Sequence, residues 1–238
     1  MNPLYQIHPL SETAVTIEFG KEISPLIHQQ VMQADKLLKS AAFQWWIENV
    51  PAYTTLTVFY NPAEVKHSND LHGATAGNKV IEIIKQALQF SGVTETENRN
   101  EIIVPVCYDE EFAYDIGYVA SCHHISADEV IQLHTQTGYT VYMMGFTPGF
   151  PYMGVLPEQL DTPRKTTPRA EVAAGSVGIA GKQTGIYPFA TPGGWQIIGR
   201  TPLKLFDVKR EGPAIFQPGD KVKFEAITKE TFYQLQQA

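Results

Sequence analysis

Tyr139-Thr-Val-Tyr-Met-Met-Gly-Phe-Thr-Pro-Gly-Phe-Pro-Tyr-Met-Gly154 decides the class of the second half of this chain. From Met144 onward the stretch cannot be a helix, because Pro148 and Pro151 and the glycines at 145, 149 and 154 interrupt it. Phe146, Phe150 and Tyr152 are nonetheless costly to leave in water, so the segment is expected to line a cavity. Gly permits close backbone approach and Pro stiffens the loop, which would hold amides and aromatic faces ready for a ligand. Beyond it, short strand-like pieces keep alternating with Gly and Pro turns, the pattern of a closed or strongly curved antiparallel sheet and not of βαβ units.

Toward the N-terminus, Glu101-Ile-Ile-Val-Pro-Val-Cys-Tyr108 predicts a strand, and Pro105 argues for an edge or a bulge there. Ser126-Ala-Asp-Glu129 has the form of a capping box, opening a helix with Val130, Ile131 and Leu133 that ends near Gly138. The first half is built differently. Thr13-Ala-Val-Thr-Ile-Glu-Phe19 and Thr54-Thr-Leu-Thr-Val-Phe-Tyr60 alternate as half-buried strands do. Between them Ser24 is placed to cap a helix, Pro25 suits its first position, and Ile27, Val31, Ala34 and Leu38 share one face. A second helix is predicted from about Asn78 to Phe90, with Val80, Ile84, Ala87 and Leu88 facing in and Gly92 stopping it. Residues 61–77 read as a surface loop and 93–100 as a linker. The expected organisation is a small α+β domain over residues 1–96 followed by a mainly-β barrel over 97–238.

With 238 residues and 43% hydrophobic content the chain has ample material for a core. Its 18 glycines and 16 prolines fall mostly after Tyr142. Cys107 and Cys122 are too few for a disulfide framework, and the first residues lack the basic flank and apolar run of a signal peptide. A cytoplasmic location with reduced thiols is therefore expected. No apolar stretch approaches the roughly 18 to 20 residues that cross a bilayer. The net charge of −7 is spread along the chain, so neither membrane nor nucleic acid is an expected partner.

Several motifs have ordinary explanations. Ala174-Gly-Ser-Val-Gly178 approximates a nucleophile elbow, but no helix is predicted after Ser176. Gly175-Ser-Val-Gly-Ile-Ala-Gly-Lys182 resembles a phosphate-cradling loop, yet its spacing is one residue too long and Gln183 replaces the hydroxyl needed for magnesium. No independent ATP site is expected. Cys122-His123-His124 and the His67, Asp70, His72 group lack a ligand geometry, and no metal is predicted.

Arg164-Lys-Thr-Thr-Pro-Arg169 concentrates cations, and arginine forks suit carboxylate or phosphate groups. Gly181-Lys-Gln-Thr-Gly-Ile-Tyr-Pro188 and Thr191-Pro-Gly-Gly-Trp-Gln-Ile-Ile-Gly-Arg-Thr-Pro202 repeat the Gly-aromatic-Pro theme. The candidate binding residues are Phe146, Pro148, Gly149, Phe150, Tyr152, Arg164, Arg169, Gln183, Tyr187, Trp195 and Arg200. His134 and Tyr187 are candidate proton carriers, but a lone His on a helix is more often structural, and the catalytic residues stay unassigned.

The motifs at 145–154, 163–164, 168–169, 174–181, 183–188 and 192–202, taken in order, resemble the allophanate hydrolase subunit 1 family. This family includes the Kip-type inhibitors of sporulation histidine kinases and the B-type subunit of the bacterial ATP-dependent 5-oxoprolinase. Ala173 departs from the pattern where proline is expected, and His124 where glycine is. The resemblance implies a cyclophilin-like barrel behind the small α+β domain. It further implies a non-autonomous subunit of an ATP-dependent lactam hydrolase that opens 5-oxoproline to glutamate. The partners would be a companion carboxyltransferase-like subunit, related in fold, and a third subunit, with ATP used by the complex to activate the carbonyl oxygen. The substrate would be positioned by Arg164, Arg169, Arg200 and backbone amides near Gly145 to Gly149, and Arg169→Ala would weaken its retention while leaving the fold intact. The same resemblance leaves two alternatives: inhibition of a sensor histidine kinase through an apolar patch on the barrel, and a part in allophanate or urea breakdown.

Overall fold

Alternation of buried and exposed side chains builds the first sheet. The computed structural model describes residues 5–67, 75–89 and 101–237, and the chain divides into two units, Met1–Asn98 and Arg99–Ala238. The first holds β1 (Gln6–Ser11), β2 (Ala14–Glu18), α1 (Pro25–Ser40), β3 (Trp46–Pro51), β4 (Thr55–Tyr60), α2 (Pro62–His67) and α3 (Ala76–Gln89). Its sheet runs β1-β2-β4-β3, antiparallel throughout. Val15 and Ile17 stand opposite Val58 and Leu56, and this face packs with Val31, Ala34 and Leu38 of α1 and Val80 and Ile84 of α3. β1 and β3, which the sequence pattern did not announce, are the outer strands, and both carry register shifts that blur alternation.

Two local expectations are corrected. Ser24 stands at the N-cap of α1, but its side chain makes no capping bond; Pro25 at the first position is the start signal that operates. The stretch 61–77 is not all loop: the Asn61 side chain accepts from the Ala63 amide at 3.0 Å, Pro62 opens α2, and fully buried Val65 anchors it. Asp70, His72, Gly92 and the 93–100 linker lie outside the described residues.

The second unit comprises β5 (Glu101–Cys107), α4 (Ile116–His123), α5 (Ala127–Gln136), β6 (Gly138–Met144), β7 (Pro151–Gly154), a 3₁₀ turn (Glu158–Leu160), β8 (Arg169–Val172), β9 (Ser176–Ala180), β10 (Gln183–Ile186), β11 (Thr191–Gly193), β12 (Gln196–Arg200), β13 (Lys221–Ile227) and α6 (Lys229–Gln237). Seven strands close into a barrel in the order β10-β7-β6-β13-β5-β12-β9, while β8 and β11 pair separately. Val104, Val141, Met153, Val177, Ile179, Ile186, Ile198 and Phe224 belong to the main core cluster of this unit. Pro105 is not on an outer edge. β5 pairs in parallel with β13 along its length but meets β12 only at Arg200↔Cys107, which leaves the stretch around Pro105 unpaired on that side.

The capping box forms, with Ser126 and Glu129 reciprocally bonded. It starts α5, whose His134 is fully buried. His134 Nδ1 lies 2.8 Å from the Tyr108 hydroxyl and Nε2 lies 3.0 Å from Thr184 Oγ1. Because Thr184 donates to the Gly178 carbonyl, the network assigns the proton of a neutral imidazole to Nε2 and makes Nδ1 the acceptor. Tyr108 follows β5 and Thr184 lies on β10, strands that are not neighbours, so α5 ties across the barrel. The imidazole stacks on Phe224 with centroids 4.4 Å apart. His124 ends α4 with φ of 56°, the left-handed geometry in which glycine is at ease, which explains why glycine is the expected residue there. Among the described residues no helix is long and apolar enough to cross a membrane.

Burial lowers the His134 pKa to about 3. A folded pKa below the unfolded value of roughly 6.5 means that protonation favours the unfolded chain. The stabilising contribution is therefore complete above pH 6.5 and is lost as pH falls toward 3, by about 5 kcal/mol at most. Urea midpoints measured between pH 7 and 4 should fall less steeply for His134→Gln than for the parent chain, even though the variant starts lower.

Candidate functional site

The loop joining β6 to β7 is two turns in series. Thr147 donates its amide to the Gly145 carbonyl at 2.8 Å with Phe146 at φ of 65°, a γ-turn of the strained hand. Thr147-Pro148-Gly149-Phe150 then closes through the Phe150 amide and the Thr147 carbonyl at 3.1 Å. Proline second and a glycine at φ of 83° third make this a type II turn. A Cβ at Gly149 would also approach Phe206 Cβ to 2.8 Å, so the position admits only glycine on two counts. The Gly145 and Thr147 amides are engaged inside the loop, the former with the Phe150 carbonyl. The loop therefore works by placing side chains: Phe146 projects into solvent, 60% exposed, while Phe150 turns inward.

Phe150 does not line an open cavity. It joins Tyr187, Trp195, Val172, Ala180 and Ile197 in a second cluster, with Tyr152 packed at its margin. This cluster covers the outer face of the barrel. Met153, Thr184 and Ile179 are in register, two of them in the main core, so the alternate residues Tyr152, Gly185 and Gly178 share the opposite face. Side chains at Gly185 and Gly178 would press on Phe150 and on Trp195 and Ile197. Paired glycines thus let aromatic rings lie directly on the strands. The rings meet edge to face, Phe150 standing 5.2 Å from Tyr187 and 5.5 Å from Trp195.

The cations of 164–169 are organised by a carboxylate that the sequence motifs did not single out. Asp115, at the N-cap of α4 and 4% exposed, accepts from Arg169 through two bonds of 2.7 Å, from Lys165 at 3.1 Å and from the Ile197 amide at 2.7 Å. Burial alone would raise its pKa, but these donors outweigh burial and hold the carboxyl below its usual range. Gln196 adds a bond to the Pro163 carbonyl at 2.9 Å, which fixes the chain just before Arg164.

The three arginines therefore part company. Arg169, expected with the other two to position substrate, places its guanidinium on Asp115. Arg200 donates to the Ala174 carbonyl at 2.8 Å and lies against Phe112 and Phe232, outside the aromatic cluster. Arg164 is exposed and sits 5.9 Å over the Trp195 ring. Burial raises the pKa of Tyr152 and Tyr187, and the charge of Arg164 acts against that rise in both. Gln183 lies two residues from Gly185 on the same outer face and is partly exposed. The accessible face thus combines Phe146, Tyr152, Arg164 and Gln183 over a floor of Phe150, Tyr187 and Trp195, with Pro148 and Gly149 shaping the loop. His134, sealed in the barrel, has no route to this face. Ser176 begins a strand, and the 175–182 stretch is β9 with its turn, so neither an elbow nor a phosphate cradle forms.

The model of the carboxyltransferase domain, subdomain C and D, matches residues 5–216. The chain is 40% identical to the B-type 5-oxoprolinase subunit of Bacillus subtilis, over 98% of this chain and 97% of that one. Among solved structures, the protein TTHA0988 is 30% identical with a TM-score of 0.75, covering 93% of this chain and 40% of its own, so the chain spans well under half of that structure. The Kluyveromyces lactis urea carboxylase has a TM-score of 0.73 at 16% identity, covering 97% of this chain and 22% of its own, a likeness of fold alone.

The Asp115 cluster reverses the expectation that Arg169→Ala leaves the fold intact. Removing the bidentate partner of a buried carboxylate should lower stability by about 2–3 kcal/mol, Lys165 limiting the loss. Arg164→Ala, at an exposed position, should stay within about 0.5 kcal/mol of the parent. Urea titrations of the two variants at neutral pH check both.

Proposed function

Because the chain belongs to the carboxyltransferase domain, subdomain C and D, family, we propose that it is the B-type subunit of a 5-oxoprolinase. The observation that carries this reading is 40% identity, nearly end to end, with a relative of that name. The chain then works in the cytoplasm beside a companion carboxyltransferase-like subunit and a third subunit, its barrel is cyclophilin-like, and the complex opens the lactam of 5-oxoproline to glutamate. ATP is consumed by the complex. Residues 175–182 form a strand and its turn, with no loop leading into a helix N-terminus, so this stretch does not fit the phosphates of ATP, and on this reading a companion subunit takes up ATP.

The part of this chain is to bind and orient. 5-Oxoproline is a small ring with one apolar edge, one amide and one carboxylate. The outer face of the barrel offers the Tyr152 ring, backed by a buried aromatic cluster, a guanidinium and an amide side chain, and binding groups held rigid lose little entropy on engagement. Tyr152, Arg164 and Gln183 are the groups that reach the ligand, and Phe146 covers it.

ATP-dependent glutamate release from 5-oxoproline should vanish in extract of a strain lacking this protein and return when the purified protein is added. The protein by itself should release none. Unaltered activity in the deletion strain overturns the reading.

A further inference from the structure

Three cations stand between residues 164 and 169, and one buried carboxylate faces them. Asp115 takes Arg169 with both oxygens and Lys165 with one, and its remaining bond goes to the Ile197 amide. Among the described residues no carboxylate lies within ion-pair distance of Arg164. Two cations share a single negative charge while the third is left unneutralised at the rim of the aromatic floor. The backbone around Arg164 is nevertheless held, by Gln196 on the Pro163 carbonyl and by the Lys165 amide on the Gly194 carbonyl at 2.8 Å. Its guanidinium rests over Trp195, and Trp195 lies 5.8 Å from Tyr152. A guanidinium held over one ring can still present N–H donors to a planar acceptor.

We infer that Arg164 determines the specificity of this face, selecting a small ring that bears a carboxylate over its neutral counterpart. The carboxylate meets the guanidinium, and the ring lies against the partly exposed Tyr152 side chain. Asp115 sharpens the choice by tying down Arg169 and Lys165, so that one cation and not three answers the ligand. The inference rests on the proposed function and adds the group by which the substrate is recognised.

The assembled complex, reconstituted with parent chain, Arg164→Ala or Arg164→Lys, tests it with two probes. These are 5-oxoproline as substrate and 5-oxoprolinamide, the same ring with its charge removed, as competitor. Arg164→Ala should raise KM for 5-oxoproline by roughly 10- to 100-fold, the scale of a hydrogen bond to a charged group. Its inhibition by 5-oxoprolinamide should stay within about 3-fold of the parent, because the neutral amide forms no bidentate ion pair with the guanidinium and has only a weaker single bond to lose. Arg164→Lys should recover part of the loss, retaining the charge without the fork. Equal losses for both probes, or no loss for either, overturn the inference while glutamate release by the parent complex keeps the functional reading. A parent complex that releases no glutamate overturns both.

Discussion

Asp115 joins stretches of chain that are far apart in sequence. Its carboxylate receives β12 through Ile197, the start of β8 through Arg169, and the preceding segment through Lys165, while its own amide returns to the Ile197 carbonyl. A carboxylate this buried is unfavourable unless its lone pairs are filled, and here they are filled by charged and backbone donors together. Satisfying it therefore dictates where β8 lies. The β8–β11 pair, through Val172, then lies over the outer face of the barrel and encloses the aromatic cluster.

That layer accounts for the density of glycine and aromatic residues. Gly178 and Gly185 stand opposite each other on neighbouring strands, and their missing side chains leave the room that Phe150 and Trp195 fill. Rings locked edge to face form a rigid floor, and Phe146, Tyr152, Arg164 and Gln183 stand at its accessible side. The strained γ-turn at Phe146 persists because the type II turn behind it and the close approach of Gly149 to Phe206 hold both ends of the loop.

Local signals were legible wherever one residue type has one dominant physical role. The capping box at Ser126 and Glu129, the alternation in β2 and β4, and the Gly-Pro punctuation after Tyr139 each read through to the structure. The short helix after Asn61 reads as loop in the sequence, because the polar residues around it hide the Asn cap and proline that start it. Edge strands were harder. β1 and β3 have one bonded side and a register shift each, so their alternation is incomplete.

The sequence by itself determined the class of each half and the concentration of glycine, proline and aromatic residues in the second. Those follow from backbone sterics and the cost of exposing aromatic rings, which act over a few neighbouring positions. Which arginine stays available was decided only by the tertiary structure. Arg164, Arg169 and Arg200 are chemically alike, and what separates them is Asp115, the Ala174 carbonyl and the Trp195 ring, each brought to its arginine by the closing of the barrel. His134 makes the same point: imidazole is a proton carrier in water and a fixed neutral strut in a sealed core, and burial, a property of the whole fold, chooses between them.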